Sequence, residues 1–324
     1  MGLLPPQKTY SYEIRLKKRG SPPPYCLQVR AQKGKLMNNI KIVADSTCDL
    51  SPELIEKYDI SIIPLCIIMG EKSYYDKIEV TPEEIFEWAD KNRTTPKTAA
   101  VTFEKAEEIL KPFIDAGKEI IFFGISTQMS TTCNVIRMIG ENIDESNTAK
   151  IHVIDSMNLS TGIGLQVLYA ARLAEEGKSA AEIVSLVEAR RKDVRASFVV
   201  DTLTYLARGG RCSSVTALLA NTLKLKPEIV VTDGAMNVAK KYRGSLQSVI
   251  LKYAKDLEPQ LLHADKSCVF ITHSGCSNDI TDAVREYLKS LNHFDAIYTT
   301  RAGGVISSHC GPGTLGVLFY LEEQ

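Results

Sequence analysis

The chain has 324 residues, of which 44% are hydrophobic and 24% charged, with 39 basic side chains against 39 acidic ones. That length predicts two domains rather than one core, and the composition is that of a globular protein, not a fibre. Residues 1–36 hold eight Lys/Arg and one acid, which leaves 31 basic and 38 acidic side chains in the other 288 residues, and so mild an acidic body argues against a nucleic-acid surface.

Proline pairs and triplets (Pro5-Pro6, Pro22-Pro23-Pro24) and the cluster Lys17-Lys18-Arg19 occupy residues 1–36 without hydrophobic periodicity. They read as a disordered basic extension, with Met37 as a candidate true start. Gly2-Leu3-Leu4-Pro5-Pro6 is too short and too proline-broken for a signal-peptide core. No apolar run reaches the roughly 18 to 20 residues that span a bilayer, so a cytoplasmic protein without stable membrane insertion is expected.

From Ile40 onward strand and helix signals alternate, as in a mostly parallel sheet flanked by helices. Ile40–Ala44 is the first strand, and Ser51-Pro52-Glu53 and Thr81-Pro82-Glu83-Glu84 are helix starts with a capping hydroxyl followed by proline. Ile60–Ile68 reads as one strand, 93–102 as a loop, 103–116 as a helix and Glu119–Ile125 as a central strand. A helix over 131–143, a strand Ile151–Asp155, a helix over 162–176 and a capping-box start at Ser179 complete the first half. The second half holds a strand Ser197–Asp201, a short helix, the loop Arg208-Gly209-Gly210-Arg211 and a helix over 213–222. A hairpin turns at Asp233-Gly234, followed by helices over 245–257 and 278–290 and strands near 267–272, 295–299 and 314–321. The fold class is α/β, in two α/β domains over 37–195 and 196–324, the first with a mostly parallel sheet.

Three stretches stand out chemically. His309 is followed by Gly311, Pro312, Gly313 and Gly316, a shaped turn between Val305-Ile306 and a buried strand. Ser126-Thr127-Gln128-Met129-Ser130-Thr131-Thr132 puts five hydroxyls between a strand and a helix, where backbone N–H groups are free to cradle an anion, or where the hydroxyls simply cap the helix. Thr94–Ala100 is the candidate partner loop, and Arg208–Arg211 offers two guanidinium groups for a carboxylate or phosphate. The eight cysteines show no C-x-x-C and no zinc spacing, so no metal is expected. Dinucleotide, P-loop, nucleophile-elbow and H-E-x-x-H motifs are all missing, so no cofactor is expected and binding is favoured over catalysis.

From Ile40 to the C-terminus the chain resembles the DegV family of bacterial fatty-acid-binding proteins. The resemblance lies in Val43-Ala44-Asp45-Ser46-Thr47-Cys48-Asp49-Leu50, Pro96-Lys97-Thr98, Ser126–Ser130, Tyr205–Arg211, Leu225-Lys226-Pro227, Lys241–Gly244 and His309–Gly316. It departs from the family pattern where Ala99-Ala100-Val101 follows Thr98, and in the composition of the serine loop. The resemblance implies a non-enzymatic protein that holds a long-chain fatty acid such as palmitate in a tunnel near the domain junction and presents its carboxylate to a separate fatty-acid kinase subunit. It also implies that Thr98, Ser130, His309 and Arg211 receive the carboxylate. The competing expectation is an esterase or acyl-transfer enzyme with Ser130 as nucleophile and His309 as base.

Overall fold

A computed structural model describes residues 39–143, 151–216 and 225–323. The basic extension and most of the helix expected over 213–222 lie outside the described residues. In chain order the strands are β1 (Ile40–Asp45), β2 (Ser61–Ile63), β3 (Cys66–Met69), β4 (Lys72–Tyr75), β5 (Lys97–Ala99), β6 (Glu119–Gly124) and β7 (Ile151–Asp155). They continue as β8 (Val194–Val199), β9 (Leu225–Thr232), β10 (Ala235–Arg243), β11 (Ala264–Ser274), β12 (Ile297–Arg301) and β13 (Thr314–Leu321).

Strands β2-β1-β6-β7 form a four-stranded, wholly parallel sheet. The apolar runs of β1 and β6 are buried on both faces, as a parallel sheet covered by helices requires. A six-stranded sheet of order β10-β9-β8-β13-β11-β12 begins at Val194 and is antiparallel except for the β11–β12 pair. Its edge hairpin β9–β10 turns at Asp233-Gly234, both at positive φ, as the Asp-Gly pair predicts. A third sheet, β4-β3-β5, is small and antiparallel.

The molecule is therefore mixed α/β. Helix Thr161–Glu175 is buried on almost every face, and one apolar core joins it to Ile42, Phe123 and Ile154 of the parallel sheet and to Phe198, Phe270 and Leu318 of the larger one. A helix that is apolar all round has no solvent face to offer and must lie inside.

Several elements follow from local chemistry. Thr81 and Ser179 close reciprocal capping boxes with Glu84 and Glu182, and Ser51, Thr102 and Ser245 each accept a backbone N–H at the start of a helix. Three expectations are corrected. The run Ile60–Ile68 breaks at Pro64-Leu65, and its halves join different sheets, β2 against β1 and β3 against β4 and β5; proline cannot donate to a ladder, which frees the chain to change sheets there. The loop 93–102 contains strand β5, whose Thr98 pairs with Ile67. Finally, His309 lies in the last turn of a helix, Gly304–Cys310, rather than in the glycine turn, which begins with Gly311 at φ 75.

Candidate functional site

Thr98 and His309 are 211 residues apart and meet directly, with Oγ1 of Thr98 and Nε2 of His309 at 2.8 Å. Thr98 is placed by its short strand; His309 is carried by helix Gly304–Cys310, which β13 follows after the Gly311–Gly313 turn. The Nδ1 atom of His309 is buried without a hydrogen-bond partner and faces Gly209, where even one Cβ would overlap it. Burial, and then the positive charge of Arg211, push the imidazole down to about 4, so the ring is neutral at physiological pH.

Ser130 stands in the loop between β6 and helix Thr132–Ile143. Its Oγ lies 2.9 Å from Oγ1 of Thr132 and accepts the Thr132 N–H at 3.3 Å. The five hydroxyls of this loop do not act together. Ser126 donates to the carbonyl of Gly234 at 2.7 Å and Thr127 donates to Asp155 at 2.5 Å, while Ile125 N–H is held by Asp45 at 2.8 Å. Ser126 ties the loop to the β9–β10 turn and Thr127 ties it to Asp155, so the broad cradle expected from composition narrows to Ser130, in the neck, with Thr131 on the outer concavity. Arg211 crosses this loop: its Nε donates to the carbonyl of Met129 at 3.5 Å and its Nη1 to that of Gly209 at 2.7 Å.

All four side chains line one narrow cavity of 50 Å³, whose other walls are Leu65, Ala99, Ile125, Met129, Leu159, Met236, Val305, Ile306 and Cys310. Outward it adjoins a concavity of 260 Å³ that shares Thr98, Ala99, Met129, Ser130 and Arg211. Inward, Leu159, Ile306 and Cys310 also line a second small cavity of 20 Å³ that reaches Phe198, Gly316 and Leu318. The inner cavity is more buried than the neck, and its walls mix these apolar residues with Ser160, Thr272, His273, Ser274 and Thr314. Two larger clefts, of 680 Å³ beside Glu188, Arg191 and Arg195 and of 730 Å³ beside Lys77, Ile78 and Arg301, contain none of the four residues. Size alone does not mark the site.

A serine hydrolase arrangement needs the base on the nucleophile and a carboxylate on the base. Here Nε2 of His309 meets Thr98, Nδ1 has no partner and Ser130 bonds to Thr132. Among the described residues, no group of three or more Cys, His, Asp or Glu side chains could hold a metal, and seven cysteines are free. No helix among them is long and apolar enough to cross a membrane.

Sequence reasoning missed the apolar wall from Leu159, Met236 and Ile306, whose members come from three distant segments with no shared motif. It assigned no role to Asp45 and Asp49, which it quoted only as part of a family block, and did not single out Asp76; all three are fully or almost fully buried. For the first two a signal existed: Asp45 ends the apolar strand β1, and Asp49 closes the short turn Ser46–Cys48 that follows it.

A wholly parallel sheet joined to a mainly antiparallel one, with a small polar-necked cavity lined by segments from both, defines a mixed α/β class of protein with a candidate small-ligand site. The DegV family model, described as an uncharacterised protein of the DegV family, matches residues 39–322. A DegV domain-containing protein of Clostridium perfringens is 33% identical over 294 residues, 89% of this chain and 100% of the relative. The chain belongs to the DegV family. Among solved structures, a fatty-acid-binding DegV family protein of Thermus thermophilus is similar at a TM-score of 0.79 and 27% identity, over 87% of this chain and 99% of that one. A stearic-acid-binding protein of Eubacterium ventriosum is similar at a TM-score of 0.78 and 27% identity, over 87% and 98%.

Proposed function

We propose that this protein binds one long-chain fatty acid, such as palmitate, with its carboxylate at Thr98, Ser130, His309 and Arg211 and its alkyl chain along Leu159, Ile306 and Cys310. The observation that carries this reading is the polar neck, fixed by the Thr98–His309 contact, beside two small cavities that share Leu159, Ile306 and Cys310 in their walls. The site lies where the segments 37–195 and 196–324, read as two domains, both supply its walls.

The two ends of the ligand do different work. Withdrawing about fourteen CH₂ groups from water contributes on the order of 11 kcal/mol before association costs. The carboxylate opposes entry unless it is hydrogen-bonded, and each bond to a charged group is worth about 1.5 to 3 kcal/mol. A neutral His309 does not compete with Arg211 by charge and keeps one ring nitrogen as a donor. The channel is narrow, and Met129 and Met236, with flexible unbranched side chains, are the wall residues best able to yield to a chain.

The protein acts as a cytoplasmic carrier without chemistry of its own and without nucleic acid or inserted membrane as partner, and it presents the carboxylate to a separate fatty-acid kinase subunit. Supporting this, the concavity outside the neck is bordered by the exposed residues Ala99, Thr127, Gln128, Thr131 and Arg211, so the carboxylate end faces outward. Mass spectrometry of the purified protein, native and then denatured, tests the ligand. The expected result is an excess of one fatty acid that is lost on denaturation. An unchanged mass after incubation with saturated acids from myristic to arachidic overturns the reading.

A further inference from the structure

Helix Gly304–Cys310 has no local cap: Gly303, at its N-cap position, offers no side chain. Two carboxylates from remote parts of the chain take that place. Gly303 N–H donates to Asp49 Oδ1 at 2.8 Å, and Gly304 N–H donates to Asp76 Oδ1 at 2.7 Å. Each carboxylate is itself held by a hydroxyl on its other oxygen, Asp49 by Ser160 and Asp76 by Ser46, both at 2.7 Å. Lys77 Nζ stands 3.3 Å from Asp49. Both acids are buried, and burial pushes both carboxyls above the usual carboxylate range, so a full set of donors is what keeps them tolerable there.

The glycine pair allows a close approach. A Cβ on Gly304 would come within 2.5 Å of Ile67 Cδ1 and 3.0 Å of Asp76 Oδ1, and one on Gly303 within 2.6 Å of Lys77 Cε. Ile67 is the register partner of Thr98. The start of the helix thus packs on the strand that neighbours Thr98, while the last turn of the same helix brings His309 to Thr98 itself. Asp76 directly follows β4 of that small sheet and its N–H donates to Leu65, whereas Asp49 follows the first turn of the parallel sheet.

We propose that Asp49 and Asp76 are positioning residues for the carboxylate site: by gripping the N-terminus of helix Gly304–Cys310 from two different sheets, they set where His309 meets Thr98. The inference rests on the fatty-acid reading and adds to it a pair of residues remote from the ligand. It predicts that losing one grip harms recognition of the carboxylate rather than of the alkyl chain. Losing a helix cap leaves the first N–H groups without acceptors and lets the first turn of a short helix fray, which displaces its far end.

The test compares hexadecanoic acid with hexadecanol, which has the same chain and no carboxylate, on the full-length protein and its Asp76→Ala, Asp76→Asn and Ser46→Ala variants. Asp76→Ala is expected to weaken the acid about tenfold and the alcohol by less than about threefold. Asp76→Asn, which keeps an acceptor for Gly304 N–H, should restore the acid. Equal loss for both ligands, or an unchanged acid affinity, overturns the proposal. If Asp76→Ala does not fold, Ser46→Ala, which keeps every carboxylate, carries the decision: a selective loss of the acid supports the grip, and no selectivity defeats it. The ring nitrogen shifts of His309 should move in Asp76→Ala and return in Asp76→Asn, a signature that general loosening would not produce. Wild-type protein that does not distinguish acid from alcohol defeats the carboxylate site itself and the positioning role with it, whereas a discriminating wild type with indifferent variants defeats the positioning role alone.

Discussion

The neck and the inner cavity behind it are built differently. At the neck, Thr98, Ser130, His309 and Arg211 are polar, partly exposed and fixed by specific hydrogen bonds. Inside, Leu159, Ile306, Cys310, Phe198 and Leu318 are buried and meet by packing alone. On the proposed reading, directional bonds select the head group and its orientation, and non-directional burial supplies free energy that grows with chain length. The neck should therefore be sensitive to single atoms and the interior to volume.

Removing both neck hydroxyls strikes this division hardest. Thr98→Ala combined with Ser130→Ala should cost the acid at least about 3 kcal/mol, roughly a hundredfold or more in Kd, by loss of two charge-assisted bonds, with little change for the alcohol. Calorimetric titration of both ligands checks it, and equal losses would erase the distinction between the two ends.

Acid titration probes the neck without a ligand. Because the folded value of His309, about 4, lies below the ordinary 6.5, the unfolded chain binds the proton more readily. Its contribution to stability is complete above about pH 6.5 and is lost as pH falls toward 4, a change on the order of 3 kcal/mol. Urea midpoints measured across that window should fall less steeply in His309→Gln. His273, also lowered by burial, adds a slope of the same sign, and Asp45, raised to about 6 by burial, one of opposite sign; both remain in the variant. Equal slopes in wild type and His309→Gln would mean that the imidazole is not depressed.

The interior is read by chain length: shortening a saturated acid by two methylenes should weaken binding by about 1.6 kcal/mol, near fifteenfold, with no change in the effect of the neck variants. The smallest expected effect is at the wall of the neck. Gly209→Ala drives a methyl into Nδ1 of His309 and should weaken the acid about tenfold while the helix ending there, Thr204–Gly209, keeps its propensity. Competition binding and far-ultraviolet dichroism read the two parts separately.

Much of this was legible without a structure, and the reason is locality. The capping boxes at Thr81 and Ser179, the Asp233-Gly234 hairpin turn and the apolar strands β1 and β6 each depend on residues within a few positions of one another. The blocks around Thr98, Ser130 and His309 were visible as well, because turns and hydroxyl clusters have a local composition. What misled was also local: five hydroxyls in one loop look alike in sequence, yet Ser126 and Thr127 are spent on Gly234 and Asp155.

By itself, then, the sequence determined the α/β class, most helix starts, the hairpin and the stretches that hold the polar neck. Tertiary structure alone decided that residues 211 positions apart would share a hydrogen bond, that a run read as one strand would divide between two sheets, and that Gly304–Cys310 would be helical. That helix carries no cap of its own, because its N–H groups are satisfied by Asp49 and Asp76 from 254 and 228 residues away. Neither its existence nor the position of His309 at its end could be read from neighbouring residues, since the free energy that stabilises it comes from partners that only the fold brings near.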